Sequence, residues 1–376
     1  MAKPGPLERA NRVAVGALTL PFSLIHRAST EPLLTGTLLF ALTRAPLKYR
    51  ARLLKLLGDA GLSAERIVLL IKSLKYLLAI GLVRRLNQAL TRLALNNWHV
   101  FTKPGAPFQW DQRTELVVVT GGCSGFGYEM VKGFSKHARV VILDISPVPE
   151  ELKQLPGVDY YQVDLTDFSA IESTAETIRR EHGDPTVLIN NAGIANFAAN
   201  GTKVINSDAK LTDRIFKVNI ASHFILIKEF LPGMLRAKKG HVVTIASMAS
   251  FYATPGLVDY CCTKVAALFL SEGLRSELRG YYENGKCIQT TSVHPSWHAT
   301  GIVKPLEAKL EQLGIKCDPA SNVSDAVVEQ VLAGRSGQIF MPRTEESRTR
   351  VRDWPLWLQD AVIYFQRVRD FDVSWK

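Results

Sequence analysis

Uninterrupted apolar runs long enough to cross a bilayer are missing from this sequence. VAVGALTLPFSLI (13–25) and PLLTGTLLFALT (32–43) have 13 and 12 residues, below the roughly 17–25 that a spanning helix needs. A third stretch, IVLLIKSLKYLLAIGLV (67–83), has the length but is broken by Lys72 and Lys75. Cysteine is scarce: five in 376 residues, at 123, 261, 262, 287 and 317. The odd count and the lack of any CxxC pair argue against a disulfide framework and a zinc site, so no metal is expected. A reducing compartment facing the cytosol fits that usage. The adjacent Cys261 and Cys262 read as small helix-packing residues rather than a redox pair. Internal repeats and low-complexity tracts are lacking too. With 47% hydrophobic and 22% charged residues, the chain is neither disordered nor collagen-like.

Acidic residues are what the first third lacks. Residues 1–110 hold 16 Lys and Arg against 4 Asp and Glu, a charge of +12, whereas residues 111–376 hold 30 and 31. A neutral body excludes a nucleic-acid-binding role for it. The basic segment is also rich in Leu and Ile, which points to an acidic membrane surface rather than a phosphate backbone. Ile67, Leu70, Ile71, Leu74, Leu78, Leu82, Leu86, Leu90 and Leu93 recur at three- and four-residue steps, with Lys72, Lys75, Arg85 and Arg92 set against them. A basic amphipathic helix of this kind lies in the plane of a membrane interface. The other readings are a helical subdomain packed on the body, or on a second subunit in a homodimer. A cleaved leader is weaker, because no small-x-small site follows the first apolar run.

TKPGAPFQWDQ (102–112) reads as a linker. Beyond it, short apolar runs alternate with helical patterns: LVVVT (116–120), ARVVILD (138–144), TVLIN (186–190), HVVTIA (241–246) and IQTTSVHP (288–295). That alternation predicts an α/β fold, a doubly wound parallel sheet with helices on both faces. The expected organisation is a basic, mainly helical extension over 1–110, a Rossmann-type domain over 111–345, and an amphipathic helix over 346–376 carrying Trp354, Trp357, Leu358, Val362 and Phe365.

LVVVT runs straight into TGGCSGFG, where Gly121, Gly125 and Gly127 stand between a buried strand and a helix. Such a turn brings backbone N–H groups and a helix N-terminus against a pyrophosphate. Asp144 ends the next strand. A carboxylate there accepts hydrogen bonds from ribose hydroxyls and repels a 2′-phosphate, favouring NAD over NADP. Ser124 and Ile145 bring no positive charge to offset that repulsion. Tyr260 and Lys264, four apart, share a helical face. A nearby ammonium, with an oxidised nicotinamide, is expected to lower the phenol's pKa so that it can serve as a base. Ser247, 13 residues earlier at a strand's end, could stabilise charge developing on a substrate oxygen.

TGGCSGFG, NNAG at 190–193, Asn219 in FKVNIAS, Ser247 in VTIASMAS and YCCTK at 260–264 together resemble the short-chain dehydrogenase/reductases, over about 116–342. The basic, apolar leader resembles that of the membrane-associated subgroup acting on retinoids, steroids and other lipophilic alcohols. The resemblance implies Asn219, Ser247, Tyr260 and Lys264 as the catalytic set, with Asn219 positioning a relay water and Lys264 also holding the nicotinamide ribose. It implies a cofactor cradle of Gly121, Ser124, Gly125, Phe126 and Gly127, with Asp144, Asp164, Asn191, Ala192, Gly193 and Thr300. Ser296 stands where that family has Gly after Pro295, a position where φ > 0 would be costly for serine. His294 and His298 flank this loop and read as structural. The implied activity is hydride transfer between NAD (NADP as alternative) and a lipophilic alcohol or carbonyl, at the cytosolic face of the endoplasmic reticulum or a lipid droplet. The alternatives are a soluble, cytoplasmic NADP-dependent ketoreductase of a biosynthetic pathway and a non-catalytic nucleotide-binding scaffold.

Overall fold

The computed structural model describes residues 31–99, 104–196, 203–312 and 314–361. The apolar run at 13–25 and the end of the tail, with Val362 and Phe365, lie outside the described residues. The chain divides into two compact units, Met1–Ala94 and Leu95–Lys376.

Among its described residues the first unit holds three helices, α1 (Pro32–Thr43), α2 (Leu47–Asp59) and α3 (Ala64–Leu95). Pro32 opens α1, where its missing N–H costs nothing. Arg85 donates to both carboxylate oxygens of Glu31 at 2.7 Å. A Cβ on Gly36 would lie 3.6 Å from Leu78, so the small residue lets α1 approach α3. The expected apolar seam divides. Ile67, Leu70, Ile71, Leu74 and Leu78 are buried or half-buried, whereas Leu82, Leu86 and Leu90 are exposed. The reason is length: helices of 12 and 13 residues cannot cover one of 32. Leu69, Tyr76 and Val83, seven residues apart, form a second exposed stripe. Among the described residues, no helix is long and apolar enough to cross a membrane.

The second unit is built on seven parallel strands in the order β3-β2-β1-β4-β5-β6-β9. They are β1 (Leu116–Thr120), β2 (Arg139–Asp144), β3 (Val158–Gln162), β4 (Val187–Asn190), β5 (Gly240–Ile245), β6 (Ile288–Pro295) and β9 (Gly337–Met341). A separate pair joins β7 (His298–Ala299) to β8 (Asp318–Pro319). Alternation along β1 feeds two cores. Leu116 and Val118 face Ile171 and Ile178 of α6 (Phe168–His182), and Leu226 and Phe230 of α8 (Ser222–Arg236). Val117 and Val119 face Met130 and Phe134 of α4 (Gly125–Phe134), and Val327 of α11 (Ala320–Leu332). Each inner strand is covered on both faces, which is why these runs read as continuously apolar. The chain runs outward from β1 through β2 to β3, then returns to β4 on β1's other side. That reversal opens a crevice at the carboxyl ends of β1 and β4, where doubly wound sheets bind their ligands.

Candidate active site

The glycine-rich turn sits at the mouth of this crevice. Gly121 and Gly125 have φ of +64° and +55°, which disfavour any side chain. A Cβ on Gly127 would lie 2.1 Å from the Gly121 carbonyl oxygen, so α4 can start close against the turn only with glycine there. Ser124 precedes α4 in extended conformation without a side-chain cap bond. The first N–H groups of the helix are therefore not capped by it and face the turn, an arrangement suited to anions.

The two strand ends are latched together. Asn191 Nδ2 donates to the carbonyls of Thr120 (2.8 Å) and Gly121 (3.1 Å). The backbone N–H groups of Asn191 and Ala192 both donate to Thr120 Oγ1 at 3.0 Å. The amide of Asn191 thus builds the cradle, and Gly193 stands where an added Cβ would come 3.4 Å from Lys264 Nζ and 3.7 Å from Asn219 Oδ1. At the other end, Asp144 accepts from Cys123 N and Ser146 N, each 2.9 Å. The Cys123 thiol is hydrogen-bonded with it as well, and a carboxylate with about four acceptor sites still has capacity left. Asp164 is exposed and accepts from Thr166 N and Oγ1 at 2.9 Å. These features fit a dinucleotide: a cradle that admits backbone only, an uncapped helix start and an acceptor at the second strand's end.

Tyr260 and Lys264 lie on α9 (Val258–Gly280). Lys264 is buried; its Nζ donates to Ile245 O at 2.9 Å and lies 5.5 Å from the centroid of the Tyr260 ring. Burial pushes its pKa down to about 8. Tyr260 as a residue is half-buried, but its hydroxyl points inward and is hydrogen-bonded with the Ser247 side chain. Burial pushes the phenol up to about 12, although the bond with Ser247 pulls it down. A lowering by Lys264 is not found in the chain alone, where desolvation dominates; the expectation rested also on a cationic nicotinamide. Ser247 is extended, accepts from Ala249 N at 3.1 Å and donates to Pro295 O at 3.4 Å. Asn219 is fully buried in a π turn, Lys217–Ala221. Its Oδ1 accepts from Ile194 N (2.8 Å), and its Nδ2 donates to Ile194 O (2.9 Å) and Thr263 Oγ1 (3.0 Å). A phenol, a serine hydroxyl and an ammonium gathered in this way can exchange a proton with an oxygen and hold it in place.

The loop after β6 departs from expectation. Ser296 does not adopt positive φ, so the strain expected of a serine there does not arise; its N–H donates to Met341 O at 2.8 Å. His294 is buried, stacked on Phe340 at 5.0 Å, with its Nε2 3.0 Å from Ser292 Oγ. Burial pushes it down to about 4, a neutral packing residue. Thr300 and Gly125 line a cavity of about 330 Å³ together with Tyr128, Val303, Lys304 and Cys317. Thr120, Thr263 and Ser250, whose Oγ donates to Lys264 O at 2.7 Å, support the site without having been singled out from the sequence. All five cysteines are free, Cys261 buried and Cys262 exposed. Among the described residues no cluster suited to a metal ion occurs.

The sequence profile of the short chain dehydrogenase family matches residues 115–311. The dehydrogenase RED2 of Cochliobolus heterostrophus is 38% identical over 218 residues, 58% of this chain and 78% of that protein. The epidermal retinol dehydrogenase 2 of Mus musculus is 30% identical over 257 residues, 65% of this chain and 78% of that protein. A short chain dehydrogenase/reductase from Burkholderia phymatum, solved in complex with NAD, has the same fold: TM-score 0.57 at 22% identity, over 67% of this chain and 97% of that one.

Proposed function

Because the chain belongs to the short-chain dehydrogenase family of NAD(P)-dependent oxidoreductases, we propose that it interconverts a lipophilic alcohol and its carbonyl at a lipid surface. The observation that carries the chemistry is the convergence of Ser247, Tyr260 and Lys264 beside the cradle at the ends of β1 and β4. When bound, NAD(P) supplies the two-electron hydride acceptor or donor that no side chain provides. Ser247 bonds the substrate oxygen. Tyr260 takes the hydroxyl proton in oxidation and returns one in reduction. The Lys264 ammonium favours the phenolate electrostatically and holds the nicotinamide ribose, and Asn219 supports the path by which the proton leaves. Gly121, Ser124, Gly125, Phe126 and Gly127 hold the pyrophosphate, Ala192, Gly193 and Thr300 line the nicotinamide end, and Asp164 contacts the adenine end. Asp144 selects NAD(H), since its carboxylate repels a 2′-phosphate.

The substrate class rests on two supports. One relative is named a retinol dehydrogenase, and the leader unit carries both excess positive charge and exposed apolar stripes. Those stripes suit attachment to the cytosolic face of the endoplasmic reticulum or to a lipid droplet, with the helices lying in the interface. The test is turnover by purified protein on retinoid, steroid and fatty alcohols with both cofactors, beside Tyr260→Phe. Turnover of a member of the panel, abolished in the variant, supports the reading; wild-type turnover confined to small water-soluble ketones removes the lipophilic substrate.

A further inference from the structure

The proton path above leaves one buried histidine unused. His223 lies four residues after Asn219, where the π turn hands over to α8. Extra-residue turns of this kind are frequent at functional sites. His223 is 0% exposed, and neither ring nitrogen has a hydrogen-bond partner. The backbone of Ala192, in the NNAG turn, faces the ring without closing a full hydrogen bond. Among the described charged groups, Lys264 is the one whose field reaches the ring; burial first, then that field, push its pKa down to about 3. The ring is therefore neutral, with one donor and one acceptor nitrogen. Burying both without partners is costly, and an internal water is the usual way proteins meet such a cost.

Asn219 sharpens the argument. Both its Nδ2 hydrogens and its Oδ1 are engaged by Ile194 and Thr263. Its side chain has no hydrogen left to donate to a relay water and keeps one lone pair on Oδ1 to accept from one. Lys264 Nζ gives one hydrogen bond, to Ile245 O, and an ammonium has three hydrogens to donate.

We propose that His223 is a positioning residue whose unpartnered ring holds an internal water next to Lys264, completing the relay that Asn219 shapes. His223 remains neutral throughout; the water and Lys264 pass the proton. This rests on the acid–base reading of Tyr260 and Lys264. The first test is a high-resolution crystal structure of the full-length protein. A water within hydrogen-bond distance of a His223 ring nitrogen supports the proposal, and a dry ring overturns it. The second is the pH profile of kcat for alcohol oxidation. His223→Gln, which keeps a donor and an acceptor, should stay within about threefold of wild type with an unmoved profile. His223→Leu should lose about tenfold or more, with the acid limb moved up by about one pH unit, because losing the water weakens the charge that favours the phenolate. A His223→Leu variant equal to wild type in rate and profile, while Tyr260→Phe is inactive, overturns the role of His223 and leaves the function intact. If the wild type turns over nothing in the panel, it is the function that fails, and the crystallographic water still decides the proposal.

Discussion

The two units use the same kinds of apolar residue to opposite effect. In the leader, Leu69 is 63%, Tyr76 72% and Val83 67% exposed, and among its described residues Leu42 and Leu74 are the buried apolar side chains. In the body, Val117, Val118 and Val119 are each 0% exposed. Leucine content does not make a core. A strand between two helical layers buries both its faces, whereas a long helix beside two short ones leaves much of its circumference bare. The inner strands of the body use up their apolar surface in folding, although Phe224, Phe269 and Tyr281 elsewhere in the body stay exposed. The leader's stripes at Leu69, Tyr76 and Val83 stay exposed, and on the proposed function they and the excess positive charge meet a lipid surface.

Substitutions can break this contrast, and the largest effect belongs to the body. Tyr260→Phe should lower turnover about 100- to 10,000-fold while cofactor binding, read by fluorescence titration, survives. A variant keeping a third of the wild-type rate would remove Tyr260 from the mechanism. Next comes the core: Leu188→Ala, at a fully buried position of β4, should cost about 2–5 kcal/mol in denaturant unfolding. Leu69→Gln in the leader should change stability by less than about 0.5 kcal/mol. Comparable losses at the two positions would mean that the leader has a core of its own.

Acid sensitivity is a further property of the body. Burial depresses the pKa values of His223 and His294 to about 3 and about 4. Below the ordinary histidine range the unfolded chain binds protons that the folded chain refuses. Stability should therefore be fully present above about pH 6.5 and fall as the pH drops toward 4. Thermal unfolding of His294→Gln should decline less steeply over that window; an identical slope would remove this histidine as a cause. A smaller effect concerns cofactor choice. Asp144→Ser with Ile145→Arg should shift preference toward NADP(H) by about tenfold, or about 1.4 kcal/mol, and tighter NADPH binding by the wild type would contradict the role of Asp144.

The fold was legible where burial is complete. β1, β2, β4, β5 and β6 lie inside the sheet and announce themselves as apolar runs. β3, VDYYQ, and β9, GQIFM, are edge strands with half-exposed residues, and neither stands out as an apolar run. The site was legible where helical or strand-end spacing sets it: Tyr260 with Lys264, Ser247, and the glycines of the turn. The Thr120–Asn191 latch, the Asn219–Thr263 bond and the orphaned His223 were not. The latch joins residues 71 positions apart and the asparagine bond 44, and no local pattern encodes such meetings. The upward push on the Tyr260 phenol in the chain alone was not legible for the same reason, since its desolvation comes from neighbours brought in by the fold.

The central claim joins the two units: the body performs the chemistry, and the leader brings it to a lipid surface. The direct measurement is kcat/KM for retinol held in anionic liposomes and for a small water-soluble ketone, comparing the wild type with Leu69→Gln, Tyr76→Gln, Val83→Gln in one full-length chain. The account predicts that the triple variant loses at least about tenfold on the liposome-held alcohol, since each buried apolar side chain contributes about 1.5–3 kcal/mol, and stays within about twofold of wild type on the ketone. Equal rates on the liposome-held alcohol, with both proteins left in the supernatant on sedimentation, would contradict it.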